Sequence, residues 1–217
     1  MLARLLIYPL CLLVGALLAV VAGVLHPDLA GDGAAQLTTI AQCAGWRAIH
    51  WTFLFGFPLA LTGLVGLARA HAGNPGESAV RAGLIVATFA YGAWTVTVAF
   101  MGSAGGALAH SFTVAEAGMT ATRAVFLFDM IHPFALATQR VAGFALGLST
   151  CLFGWGVSEG KVLPRWLGTT GLAAGAVAMA LAVAFAETTK ADQAAFVLPL
   201  AWQVVTAAVM LRRQVRG

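Results

Sequence analysis

The sequence predicts an all-α polytopic transmembrane helical bundle of six spans with both termini in the cytoplasm, and three observations predict it. Of its 217 residues, 60% are hydrophobic and only 9% are charged, whereas soluble domains carry about a quarter charged residues. The apolar residues gather into runs near 5–25, 51–68, 83–101, 140–157, 164–186 and 195–211, each about as long as a helix needs to cross a bilayer. The basic residues then alternate between the two sides of these runs. Arg4, Arg69, Arg81, Lys161, Arg165, Arg212, Arg213 and Arg216 fall on one side, and Arg47, Arg123, Arg140 and Lys190 on the other. An excess of Lys and Arg marks the cytoplasmic face. The expected location is a bacterial inner membrane, and residues 1–217 read as one membrane domain.

Taken in order, the run at 5–25 follows a basic start and resembles a signal peptide, but it exceeds the usual signal core of about 7–15 residues. It reads as the first span. Residues 26–50 make a longer outer connection, and the second span is flanked by Trp46 and Trp51 at its outer end, the depth at which tryptophan anchors. The Gly-Asn-Pro-Gly run at 73–76 predicts a tight inner turn into the third span. Residues 102–139 form a second long outer connection containing helix-compatible stretches, so helices two and four are expected to start outside the lipid. An outer cap follows. Pro164 suits the first turn of the fifth helix, and the sixth ends near Arg212 and Arg213.

Small residues crowd the spans. Gly143-x-x-x-Gly147 and Gly171-x-x-x-Gly175 fit the close-packing pattern of membrane helices, read here as intramolecular, with homo-oligomerisation the lesser reading. Cys11, Cys43 and Cys151 form no CxxC pair and predict neither a disulfide framework nor a zinc knuckle. The basic residues form no stripe with interleaved aromatics, which excludes a nucleic-acid site. No GxxxxGK[ST], GxGxxG, HExxH or GxSxG occurs, excluding the simplest nucleotide, zinc-protease and hydrolase readings. Ionisable side chains are nearly absent from the runs, which argues against a channel or pump.

One distribution points to chemistry. Four of five histidines fall on the outer side: His26 ends span one, His50 precedes span two, His110 follows span three and His132 precedes span four. The first four spans thus form a four-helix unit of two similar halves, and spans five and six a helical hairpin that buttresses it. Imidazoles at one depth could hold a haem b by bis-histidine ligation, or a transition metal such as copper, with Met101, Met119 or Met130 as soft neighbours. Asp129, one helical turn before His132, is placed to orient it. Arg47 and Arg140 could hold a haem propionate or another anion, and Arg140 is also placed to anchor a helix end or reach Glu187. Asp129 and Glu116 are the carboxylates available to a metal-dependent enzyme acting at the outer leaflet.

The segment Val162-Leu163-Pro164-Arg165-Trp166-Leu167-Gly168, with Trp46-Arg47-Ala48-Ile49-His50, resembles a broad group of small bacterial multi-span membrane proteins of unassigned function. The resemblance implies the six-span layout and transfers no catalytic residue. The histidine placement is similar in kind to membrane b-type cytochromes. The sequence therefore carries two main expectations. One is a redox or metal-binding protein with its site at the periplasmic ends of spans one to four, exchanging electrons with quinone or a periplasmic partner. The other is a non-catalytic accessory subunit packed in the lipid bilayer against a larger complex.

Overall fold

The computed structural model describes residues 2–114, 119–185 and 190–216, and the side chains of 6–114, 120–185 and 193–213. The described chain is all-helical: α1 (Leu2–Leu25), α2 (Gly33–Gln42), α3 (Trp46–Ala70), α4 (Glu77–Phe100), α5 (Gly106–Val114), α6 (Met119–Glu159), α7 (Arg165–Ala184) and α8 (Lys190–Arg216), with a π-helical segment at Met101–Gly105 joining α4 to α5. Six stretches are long and apolar enough to cross a membrane: Leu6–Leu25, Trp46–Ala70, Glu77–Val114, Thr120–Glu159, Arg165–Ala184 and Gln193–Arg213. Each contains or overlaps one of the predicted runs. The predicted connection at 102–139 is itself mostly helical. Its glycines at 102, 105 and 106 read as a break, yet an interior glycine weakens a helix by only about 1 kcal/mol.

The helices close into a ring. α1 packs on α3 and α8, α3 on α4, α4 on α6, α6 on α7, and α7 on α8. Glycine sets the tightest seams. A Cβ on Gly63 would lie 2.3 Å from Leu12 Cβ, and one on Gly15 would lie 2.3 Å from Ala60 N, so α1 and α3 touch backbone to backbone. The α6–α7 seam is built likewise, with Gly147 and Gly175 each against the other's carbonyl. Gly143 meets the Phe196 ring and Gly171 meets Trp202 and Gly154, so all four glycines of the two small-xxx-small pairs are used within the chain.

Buried polar side chains tie the ring across its interior. Tyr91 on α4 donates to Gln203 Oε1 on α8 at 2.8 Å, Thr97 on α4 donates to the Ala135 carbonyl on α6 at 2.9 Å, and Ser149 on α6 donates to the Gly83 carbonyl at 3.0 Å. Trp202 Nε1 on α8 donates to the Leu167 carbonyl on α7 at 2.9 Å. Phe196 on α8 lies against Trp94 on α4, with ring centroids 4.3 Å apart. The last two spans are thus more than a buttress: α8 supplies part of the interior that the first four helices share.

α6 is 41 residues long, about 60 Å at 1.5 Å per residue, twice the hydrocarbon thickness of a bilayer. Its N-terminal part, with α2, α5 and the π segment, encloses a second apolar core of Leu37, Ile40, Trp46, Met101, Ala109, Ala124 and Phe128. This is the expected cap. Asp32 starts α2 by accepting from Ala35 N at 2.9 Å, which satisfies one of the free N–H groups of the first turn. At the opposite end Gly73, at φ +75°, makes the predicted turn. His71, fully buried, donates from Nδ1 to the Leu67 carbonyl at 2.9 Å. Burial holds the His71 imidazole below its ordinary range and keeps it neutral.

The seam at Gly63 gives a direct comparison, because Gly92 has nothing within 4 Å of the position a Cβ would take. Gly63→Ala should destabilise the protein by about 1–3 kcal/mol through overpacking. Gly92→Ala, the same chemical change in open space, should leave the unfolding midpoint unchanged or raised. Helical circular dichroism followed through denaturant titration in mild detergent checks both.

Candidate functional site

A cavity of about 450 Å³ lies inside the ring at the cap end, within the usual range for a small-molecule site. Residues of α1, α3, α4, α6 and α8 line it. His26, His50, His132 and Asp28 line it, with an apolar floor that includes Phe53, Phe196 and Leu200.

Each histidine is placed by a different device. His26 follows the last residue of α1, where its Nδ1 lies 2.8 Å from the Pro27 carbonyl. His50 is one turn into α3, 3% exposed, with Nδ1 at 2.7 Å from the Trp46 carbonyl. A carbonyl oxygen only accepts, so in both rings Nδ1 carries the proton and Nε2 is left with its lone pair. The rings stand edge to face, with centroids 5.3 Å apart. Burial lowers the pKa of His26 from its ordinary value, partly offset by its bond to Pro27 and by the Asp28 charge. His132 enters from α6 and stacks on Phe128 with centroids 4.5 Å apart.

Trp46 organises the pair. Its indole lies 4.3 Å from the His50 ring and 5.0 Å from the His26 ring, and its Nε1 donates to the Met101 carbonyl at 2.7 Å. That carbonyl opens the π segment, and helices with such segments often carry functional sites there. Gly102, next in the segment, lies so close to His50 that a Cβ would sit 2.7 Å from His50 Cβ. Gly102 is what lets the π segment pass over His50.

Other expected site residues are placed elsewhere. His110 is exposed on α5 and does not line the cavity, so the expected ring of four imidazoles reduces to three. Among the described residues no three His, Cys, Asp or Glu side chains are grouped to hold one metal ion. Asp129 is exposed and lies against the start of α2, its Oδ1 2.0 Å from where a Gly33 Cβ would be. It makes no hydrogen bond to His132 among the described residues. Arg47 is exposed and outside the cavity. Arg140 donates from Nη2 to the Phe185 carbonyl at 2.7 Å. It thereby ties α6 to the C-terminal end of α7, where a helix dipole favours a cation. Arg140 is not among the described residues that line the cavity. Glu116, Glu187 and the side chain of Met119 lie outside the described residues.

No family model matches the chain, and neither a curated protein nor a solved structure resembles it. The chemistry is read from the cavity itself.

Several contributors were missed in the sequence. Asp28 stands two residues past His26, a spacing with no signal of its own, and lines the cavity mouth. Gln193 closes that mouth from α8, its Nε2 donating to Asp28 Oδ1 at 3.3 Å. Phe196 also comes from α8, a span that offered no titratable group to notice.

The fit of Gly102 against His50 predicts that Gly102→Ala displaces the imidazole and disturbs its packing on Trp46, at a cost of about 1–3 kcal/mol. Near-ultraviolet circular dichroism of the tryptophans should change while the far-ultraviolet helical signal is retained.

Proposed function

We propose that this chain is a multi-pass inner-membrane protein, with cytoplasmic termini and the cap on the periplasmic side, that binds a small amphipathic molecule in the histidine-lined cavity. The excess of Lys and Arg on the side opposite the cap supports that orientation. The observation that carries the reading is the pair His26 and His50. Both rings give Nδ1–H to backbone carbonyls and keep Nε2 as an acceptor beside a partly open, largely apolar volume. An apolar pocket with a few convergent polar groups is the ordinary form of a ligand site.

The apolar body of the ligand lies along Phe53, Phe196 and Leu200, and the imidazoles read its polar head. A second reading draws on the same bonds, because an imidazole whose other nitrogen donates to a carbonyl is also what metal ligation uses. In that reading His26 and His50 hold one soft ion such as Cu(I), or the axial positions of a haem, and the protein passes electrons.

Gentle purification followed by solvent extraction and mass spectrometry tests the first reading. The wild type should retain one amphiphile near one equivalent, and both His50→Phe and Val20→Trp, which narrows the cavity, should lose it while keeping their helical signal. Equal content in all three preparations would remove the proposal. An absorption spectrum with elemental analysis decides the second reading. Stoichiometric metal or a haem band that His26→Ala and His50→Ala both abolish would put metal chemistry in place of a small-molecule site.

A further inference from the structure

We infer that the ligand is an amphiphile with a primary ammonium head, which donates to His26, His50 and Asp28 while its chain lies on the cavity floor. The inference rests on reading the cavity as a ligand site, and it follows from what the lining can and cannot offer.

The two imidazoles offer acceptors. With Nδ1–H held by Pro27 and Trp46, each ring presents a lone pair at Nε2, and neither Nε2 is sealed without a partner as that of His71 is. The charge is negative. Among the described residues that line the cavity, Asp28 is the single formally charged one, and none is Lys or Arg. Anionic heads such as phosphate or carboxylate are therefore disfavoured, and carbonyl heads find few donors. A primary ammonium carries three donors and no acceptor, which suits a lining that offers imidazole nitrogens and a carboxylate.

The floor suits the chain. Trp94 lines the cavity between Phe53, at 5.6 Å between centroids, and Phe196, at 4.3 Å, and extends the apolar floor on which the chain lies. Burial lowers the pKa of His26 and so disfavours the charged ring that would repel a cation. A bare metal ion would leave most of the 450 Å³ unfilled, whereas an alkyl chain fills it.

The test uses the full chain in nanodiscs of phosphatidylcholine, titrated with octylamine at pH 7, with tryptophan fluorescence as the readout. Octanol and octyltrimethylammonium serve as comparisons. Octylamine should bind saturably and about tenfold or more tightly than either, and Asp28→Asn should remove about tenfold of that affinity while leaving octanol unaffected. Asp28 is exposed, so this variant keeps the fold. Equal binding of octanol and octylamine would overturn the ammonium assignment and leave the ligand site standing. Equal binding of octyltrimethylammonium would overturn the acceptor role of the imidazoles. Saturable binding of none of the three would overturn the ligand site as well. Nanodiscs containing phosphatidylethanolamine separate the two sources of such a head: competition with octylamine places it on a lipid, and undiminished octylamine binding places it on a free amine.

Discussion

Inside a ring of packed apolar helices, a polar hydrogen has no partner except another atom of the chain, and the structure depends on that constraint. It makes every described element a helix. It also decides the side chains. Tyr91, Thr97, Ser149 and Trp202 each reach a neighbouring helix, while Thr62 and Thr88 bond back to their own. His50 obeys the same rule. Its Nδ1–H goes to Trp46, and the choice of that nitrogen determines what the ring can do with the other.

Function then follows from packing. Trp46 accepts from His50 through its carbonyl, lies against both imidazoles with its indole, and fastens α3 to the π segment through Nε1. The cap core packs around Trp46. Below it, α8 completes the cavity with Phe196 and Leu200, held in place by the Tyr91–Gln203 bond. A site assembled from five helices has its groups preset, so little ordering remains to oppose binding.

Much of the fold was legible because length and hydropathy suffice to find apolar helices. The six runs, the short turn at 73–76 and the cap all appear. The boundaries at 102–139 were not legible, since Gly102, Gly105 and Gly106 look like a break unless the imidazole beneath them is known. At the site, the sequence showed histidines at one depth but not their azimuth around each helix. His26, His50 and His132 face inward, and His110, equally well placed in depth, is exposed. Arg140 carried several meanings in sequence; it bonds the Phe185 carbonyl, and Glu187 lies outside the described residues. The role of α8 was invisible, because aromatic and aliphatic side chains in an apolar run carry no mark of what they line.

The central claim is that His26 and His50 are both neutral, with the proton on Nδ1 and the lone pair on Nε2. Solid-state nitrogen-15 NMR of imidazole-labelled protein in lipid, at pH 7 and without added ligand, measures this directly, with His26→Phe and His50→Phe assigning the signals. The account predicts a protonated Nδ1 and a non-protonated Nε2 for both rings. A proton on Nε2 in either ring, or a doubly protonated imidazolium, would contradict it.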